Sequence, residues 1–247
     1  MTPFELAKFI DHTLLAPEAT TQDIVKLCEE ANAMKVAAVC ISPSQLPIPS
    51  GLLSGEIALA CVTGFPSGAH SAVTKAFEAA NAVKHGATEI DMVINLGFVF
   101  NSMWLELGEE ITSVRKSISD LVKLKVIIES AALTDEQIVM SCRVAVASGA
   151  DFVKTSTGFH KAGGASVHAV QLMRATVGNS VGVKASGGIR TRESALEMIK
   201  AGASRLGTSA TSAIHLGSSQ SRRWRESCMH AEVCRSCWGL IGEAKCH

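Results

Sequence analysis

Two lysines stand where an ammonium group is expensive: Lys154 in DFVKTSTGF (151–159) and Lys184 in VGVKASGGIR (181–190). Each is the lone charge of its own strand-like run, FVKTSTG and VGVKASGG. Burying a charge is costly unless it is paired or its pKa falls. A second ammonium nearby pushes the first toward its neutral, nucleophilic form, which is what an amine that forms a Schiff base requires. Taken singly, either lysine reads as a strand-end side chain whose head reaches solvent. Two on consecutive strands, each followed by small residues and glycine, read as a nucleophile and a cation that lowers its pKa from about 10.4 toward neutrality.

Asp91 lies inside the apolar run EIDMVIN (89–95), where strand alternation puts Val93 and Asn95 on its face. It reads as a carboxylate that pairs with the lysines and relays protons, or as a structural ion pair; the two are compatible. SGG (186–188) precedes a helical pattern that opens near Thr191, and GTSA (207–210) follows the last strand-like run. Glycine turns of this kind let backbone N–H groups approach an anion, and a following helix N-terminus adds a favourable dipole. Asp11-His12-Thr13 closes the first run, Cys40 the second and Glu129 the fifth. The polar triplet suits substrate hydroxyls or a structural role. Cys40 reads as a pocket-lining or an inert thiol, and Glu129 as a partner for one of the lysines.

Eight strand-like runs carry these residues: 8–14, 36–42, 57–64, 89–95, 125–130, 152–158, 181–188 and 204–209. Amphipathic helical patterns lie between them at 20–34, 71–86, 103–121, 134–149, 166–178 and 191–202, several opening on Ser or Thr and closing on Gly. The link SPSQLPIPSGLLSG after the second run is irregular. Alternating β and α with a count of eight argues an α/β fold, a single (β/α)8 TIM barrel over 1–220. A doubly wound open sheet would normally carry a glycine-rich dinucleotide fingerprint after its first strand, and that run has none. In a barrel, catalytic groups gather at the C-terminal ends of the strands, and a phosphate is commonly held by the loops after strands seven and eight.

The chain has 247 residues, is 47% hydrophobic and has 23 basic and 23 acidic side chains. Zero formal charge argues against nucleic acid as the partner. MTPFELAKFID has no basic region followed by an apolar stretch, and 36–55 holds three prolines, so neither a secretory leader nor a membrane span is expected. The location expected is cytoplasmic. Cys28, Cys40, Cys61 and Cys142 then read as buried free thiols.

Together KTSTGF, KASGGIRT, EIDMVINLG, IDHTLL and CVTGFPSG resemble the short-type deoxyribose-phosphate aldolase family, from about Lys8 to Ser209. The resemblance implies a class I aldolase with no metal and no cofactor. Its reaction would cleave 2-deoxy-D-ribose 5-phosphate reversibly to D-glyceraldehyde 3-phosphate and acetaldehyde, in nucleoside catabolism. By the matching motifs, Lys154 would be the Schiff-base lysine, Lys184 the pKa-lowering lysine and Asp91 the proton-relay acid. Gly158, Gly187, Gly188, Gly207, Thr208 and Ser209 match the phosphate-contacting loops, Asp11 and Thr13 the first-strand substrate positions, and Cys40 a pocket-lining cysteine. The partner implied is a small phosphosugar; family members are often homodimers.

The segment 221–247 departs from the family, with four Cys, two Trp and four Arg. It reads as a divergent tail, helical or disordered, or as part of the last barrel helix. TSAIHLGSSQ (211–220) looks too short and too rich in Gly and Ser for that helix. Cys234-x-x-Cys237, with Cys228, His230, Cys246 and His247 nearby, has the makings of a zinc site, although a single CxxC is weak. Some family members end in a tyrosine that reaches the active site; this chain has no tyrosine. A phosphosugar-binding barrel that has lost catalysis through this terminus is the alternative reading.

Overall fold

The computed structural model describes residues 1–216. Eight parallel strands close into a barrel in sequence order. They are β1 (Ile10–Leu14), β2 (Ala38–Ile41), β3 (Ala58–Thr63), β4 (Glu89–Val93), β5 (Lys123–Ile127), β6 (Phe152–Lys154), β7 (Gly182–Ser186) and β8 (Arg205–Thr208). The helices are α1 (Pro3–Ala7), α2 (Thr21–Met34), α3 (Ala72–Lys84), α4 (Leu96–Phe100) and α5 (Trp104–Ser117), then α6 (Asp135–Ala147), α7 (Val167–Val177), α8 (Arg192–Lys200) and α9 (Thr211–Leu216). The expected (β/α)8 architecture is therefore present, and only a 3-10 turn, Pro43–Gln45, follows β2.

Local chemistry sets the helix starts. Thr20, Ser71, Thr134, Ser166 and Thr191 each accept a backbone N–H three residues on. Replacing such a cap by Ala costs about 1 kcal/mol. At the other end, Gly202 has φ 116°, and a Cβ there would lie 2.7 Å from Arg174.

Period-two alternation divides each strand between two environments. Outward residues such as Ile10, Ile41, Ile90, Leu124, Val153 and Leu206 are buried against the helices in one continuous apolar shell. Each fully buried aliphatic side chain there is worth about 1.5–3 kcal/mol. Inward residues of β2 and β3 are small and apolar, namely Cys40, Ala60 and Val62. On β1 and β4 to β8 the barrel interior is charged instead.

Several boundaries differ from expectation. β1 starts at Ile10, because Thr2 and Glu5 form a capping box that makes the preceding residues a helix. β5 starts at Lys123 rather than Lys125. The β6 ladder ends at Lys154, so Thr155–Gly158 belong to a loop. Thr211–Leu216 is helical despite its short length, with Ile214 fully buried. The expected boundary at 220 and the Cys-rich tail with its CxxC lie outside the described residues.

Candidate active site

The two lysines are direct neighbours, because the β6–β7 register pairs Lys154 with Lys184. Asp91 reaches them from β4: both Nζ atoms lie 2.7 Å from its Oδ2. Its other oxygen, Oδ1, accepts from Lys125 Nζ on β5 at 2.7 Å. Lys125 also lies 2.5 Å from Glu89 and 3.6 Å from Asp11. Asp11 binds Lys184 through Oδ2, and its Oδ1 accepts from Arg205 at 2.7 Å. Arg205 makes a further contact to Glu89 at 3.2 Å and stacks over Phe152, 5.4 Å from the ring centroid. Four cationic side chains thus face three carboxylates inside the barrel.

This imbalance divides the lysines. Burial lowers the Lys154 pKa; Asp91 opposes that and Lys184 adds to it, and the net shift is downward. Burial acts the same way on Lys184, but Asp11 and Asp91 outweigh it and the pKa rises. Lys125 is raised too, against burial, by Asp91, Asp11 and Glu89. Burial disfavours the Asp91 carboxylate, yet Lys125, Lys154 and Lys184 together hold its carboxyl well below the usual range. Discharging Lys154 alone leaves three positive groups against three negative ones.

Lys154 is also the lysine that can be reached. A cavity of about 470 Å³ opens at the C-terminal ends of β1, β6, β7 and β8, with Lys154 in its wall. Thr13, Thr157, Gly158, Ser186, Gly187 and Gly188 line it, with Arg190, Gly207, Thr208 and Ser209. Gly187 and Gly188 have φ of 83° and 81°, a conformation that side chains disfavour. A Cβ on Gly207 would lie 3.1 Å from the Lys184 Cε, so this glycine makes room for that lysine. Phe159 lines the cavity and meets Phe65 edge to face at 5.2 Å.

All the expected phosphate-loop positions therefore share one cavity with Lys154 and Thr13. Asp11, Asp91, Cys40 and Lys184 do not line it; they are buried, Asp91 meeting Lys154 directly, Lys184 and Cys40 meeting Asp91, and Asp11 joined through Lys184. The Cys40 sulfur lies 4.0 Å from Asp91, and its thiol is pushed up to about 11 by burial, with Asp91 adding to the shift. Thr13 donates to the Asp11 carbonyl at 2.8 Å. Asn95 leaves the β4 face to cap α4. Glu129 does not meet a lysine: its φ of 58° turns it toward Thr157, whose backbone N–H and hydroxyl it accepts at 3.2 and 2.6 Å. Among the described residues, no three His, Cys, Asp or Glu side chains are grouped to hold a metal ion.

A family model, DeoC/LacD family aldolase, matches residues 6–218. The chain belongs to the DeoC/LacD aldolase family. Among its relatives, the deoxyribose-phosphate aldolase of Kocuria rhizophila is 54% identical over 214 residues, 87% of this chain and 97% of the relative. That of Nocardia farcinica is 56% identical over 214 residues, 86% of this chain and 94% of the relative. The deoxyribose phosphate aldolase of Aeropyrum pernix, described as a unique tetramer, superposes with a TM-score of 0.80 at 32% identity, covering 87% of this chain and 91% of that one. An aldolase designated QR15 gives a TM-score of 0.81 at 32% identity over 92% and 99% of the two chains. The lysine pair and glycine loops of this DeoC/LacD aldolase thus sit in a barrel shared with enzymes of that kind.

Three interior residues escaped the sequence reading: Lys125, Glu89 and Arg205. Each stands at or next to the start of its strand-like run in the sequence, 89–95, 125–130 or 204–209, where a charge reads as a solvated flank. The signal that finds Lys125 is its two-residue spacing from Ile127, which the β5–β6 register pairs with Lys154. Among the described residues no helix is long and apolar enough to cross a membrane.

Proposed function

We propose that this enzyme cleaves 2-deoxy-D-ribose 5-phosphate reversibly to D-glyceraldehyde 3-phosphate and acetaldehyde through a Schiff base on Lys154. The observation that carries the reading is geometric: Lys154 and Lys184 are paired in the β6–β7 register and share one oxygen of Asp91, and of the two only Lys154 lies in the cavity wall, where burial and Lys184 both lower its pKa. An amine nucleophile must be neutral when it attacks, and a nearby cation favours that state.

Neutral Lys154 adds to the C1 aldehyde of the open-chain sugar. The carbinolamine loses water and leaves a protonated imine that acts as an electron sink. The C3 hydroxyl loses its proton through a water held by Asp91 and Lys184. The electron pair of the C2–C3 bond passes into the iminium as D-glyceraldehyde 3-phosphate departs. The enamine takes a proton at C2, and hydrolysis of the imine releases acetaldehyde and restores Lys154. Asp91 stays a carboxylate and orients the relay water. Lys184, the resting acid, gives the proton that leaves with the carbinolamine hydroxyl, takes up the C3 proton through that water, returns it to C2 of the enamine and regains its own when the imine is hydrolysed.

The loops at Gly158, Gly187–Gly188 and Gly207–Ser209 hold the phosphate, with Arg190 at the rim. Binding at this remote group orients C1 beside the amine. Asp11, Thr13 and Cys40 hold the sugar end of the site in shape, Asp11 and Cys40 from beneath. The cytoplasmic location, the place in nucleoside catabolism and a homodimeric state belong to the same proposal and rest on the family resemblance.

Borohydride trapping tests it. The protein is incubated with acetaldehyde or deoxyribose 5-phosphate, reduced, and mapped by peptide mass spectrometry. The expected label falls on Lys154 and vanishes in Lys154→Met, with cleavage down by about a thousandfold or more. A folded protein with no labelled lysine would sink the reading.

A further inference from the structure

His12 is the member of the Asp11-His12-Thr13 triplet that the barrel interior does not use. Alternation turns it outward from β1, where it is 5% exposed. Its Nε2 lies 3.0 Å from Glu30 Oε2 on α2, and its Nδ1 lies 2.8 Å from the Thr211 hydroxyl at the start of α9. A neutral imidazole offers one donor and one acceptor, and these two partners use both when Nε2 carries the proton.

From Thr211 the contacts run into the cavity wall. Thr208 stands opposite His12 in the β1–β8 ladder. Its hydroxyl donates to the Ile189 carbonyl at 2.7 Å and accepts from the Ala210 N–H at 2.9 Å. Thr208, Ser209 and Ile189 all line the cavity. The Thr211 hydroxyl also lies 3.4 Å from the Thr208 carbonyl, so these contacts together tie α2 and β1 to the loop after β8, and through it to the loop after β7. The segment Gly207–Ala210 has only short side chains with which to order itself. Loops that hold an anion bind it better when they are ordered beforehand, since ordering on binding subtracts from affinity.

We propose that His12 is a positioning residue which, through Thr211, keeps the loops 187–190 and 207–210 set for the phosphate, and so makes the enzyme favour a phosphorylated over an unphosphorylated sugar. The proposal rests on the phosphosugar-aldolase reading of the site.

Its test compares His12→Leu, Thr211→Val and the double variant on 2-deoxyribose 5-phosphate, on 2-deoxyribose and in acetaldehyde trapping at Lys154. Each single variant is expected to raise KM for the phosphate ester about tenfold, the scale of one hydrogen bond, with kcat within about twofold. KM for 2-deoxyribose and the trapping yield stay unchanged. The double variant is no worse than either single, because both cut the same chain of contacts. His12→Gln, which keeps a donor and an acceptor, recovers most of the loss. Equal losses on both sugars, an unchanged KM for the phosphate ester, or additive losses in the double variant would each overturn the proposal. Titration with inorganic phosphate keeps the two readings apart. Trapping that fails in the unsubstituted protein refutes the Schiff base, whereas weaker phosphate binding in His12→Leu still supports the positioning role and unchanged binding refutes it.

Discussion

Two buried ion-paired regions of this molecule treat their lysines differently. In the shell between barrel and helices, Lys75 on α3 donates to Glu110 on α5 at 2.7 Å and to the Val93 carbonyl at 2.8 Å. Burial lowers the Lys75 pKa and raises that of Glu110, each against the pull of its partner, so both are driven toward neutrality. In the barrel, Lys184 meets two carboxylates and Lys125 three, and both are raised. Lys154 meets one, as Lys75 does, and both are lowered. Among these four lysines the number of carboxylates within reach goes with the direction in which the pKa moves. What separates Lys154 from Lys75 is then access: one opens on the cavity and the other is fully enclosed.

The most severe way to break this comparison is Asp91→Asn. It removes the carboxylate that three ammonium groups share. Cleavage should fall by about a thousandfold, and stability by roughly 3–5 kcal/mol, the usual cost of unpairing buried charge. Steady-state rates and denaturant titration read the two losses separately. In the shell, Lys75→Met should cost a similar 3–5 kcal/mol but leave kcat within about threefold, and adding Glu110→Gln should restore most of the stability. A large fall in kcat in a folded Lys75→Met protein would show that the two regions are not independent. The subtlest effect is on pH dependence. Imine formation requires Lys154 without its proton, so its rate rises with pH through a lowered Lys154 pKa. Lys184→Met removes a cation that helps lower that pKa while Asp91 still raises it. The acid limb of the trapping rate should therefore move to higher pH, and a limb that stays in place would deny Lys184 its electrostatic role.

The barrel was legible in the sequence because its helices open on capping threonines and serines and its strands carry dense apolar runs. Lys154 and Lys184 were legible because a lone ammonium in such a run demands an explanation. Lys125, Glu89 and Arg205 were not, since nothing local distinguishes a charge entering a barrel from one leaving it for solvent. Register decides that, and register is a property of neighbouring strands. Glu129 was misjudged for a related reason: its left-handed backbone turns the side chain away from the direction strand alternation implies. The short α9 was missed because its helical state depends on burying Ile214 and on Thr211 meeting His12.

The charged barrel interior also bears on how the chain assembles. Its ion pairs join residues far apart in sequence, up to 194 positions for Arg205 and Asp11. The pairs of Glu89 and Asp91 with Lys125, Lys154 and Lys184 need only β4 to β7, whereas Asp11 on β1 meets Lys184 and Arg205 only across the seam where β1 joins β8. Contacts of such long range form late, after much chain entropy has been lost. Asp11 and Arg205 therefore find their partners only when the last strand docks on the first. The charges that tune one amine thus also mark the seam of the barrel, since its charge balance is complete only when β1 and β8 are paired.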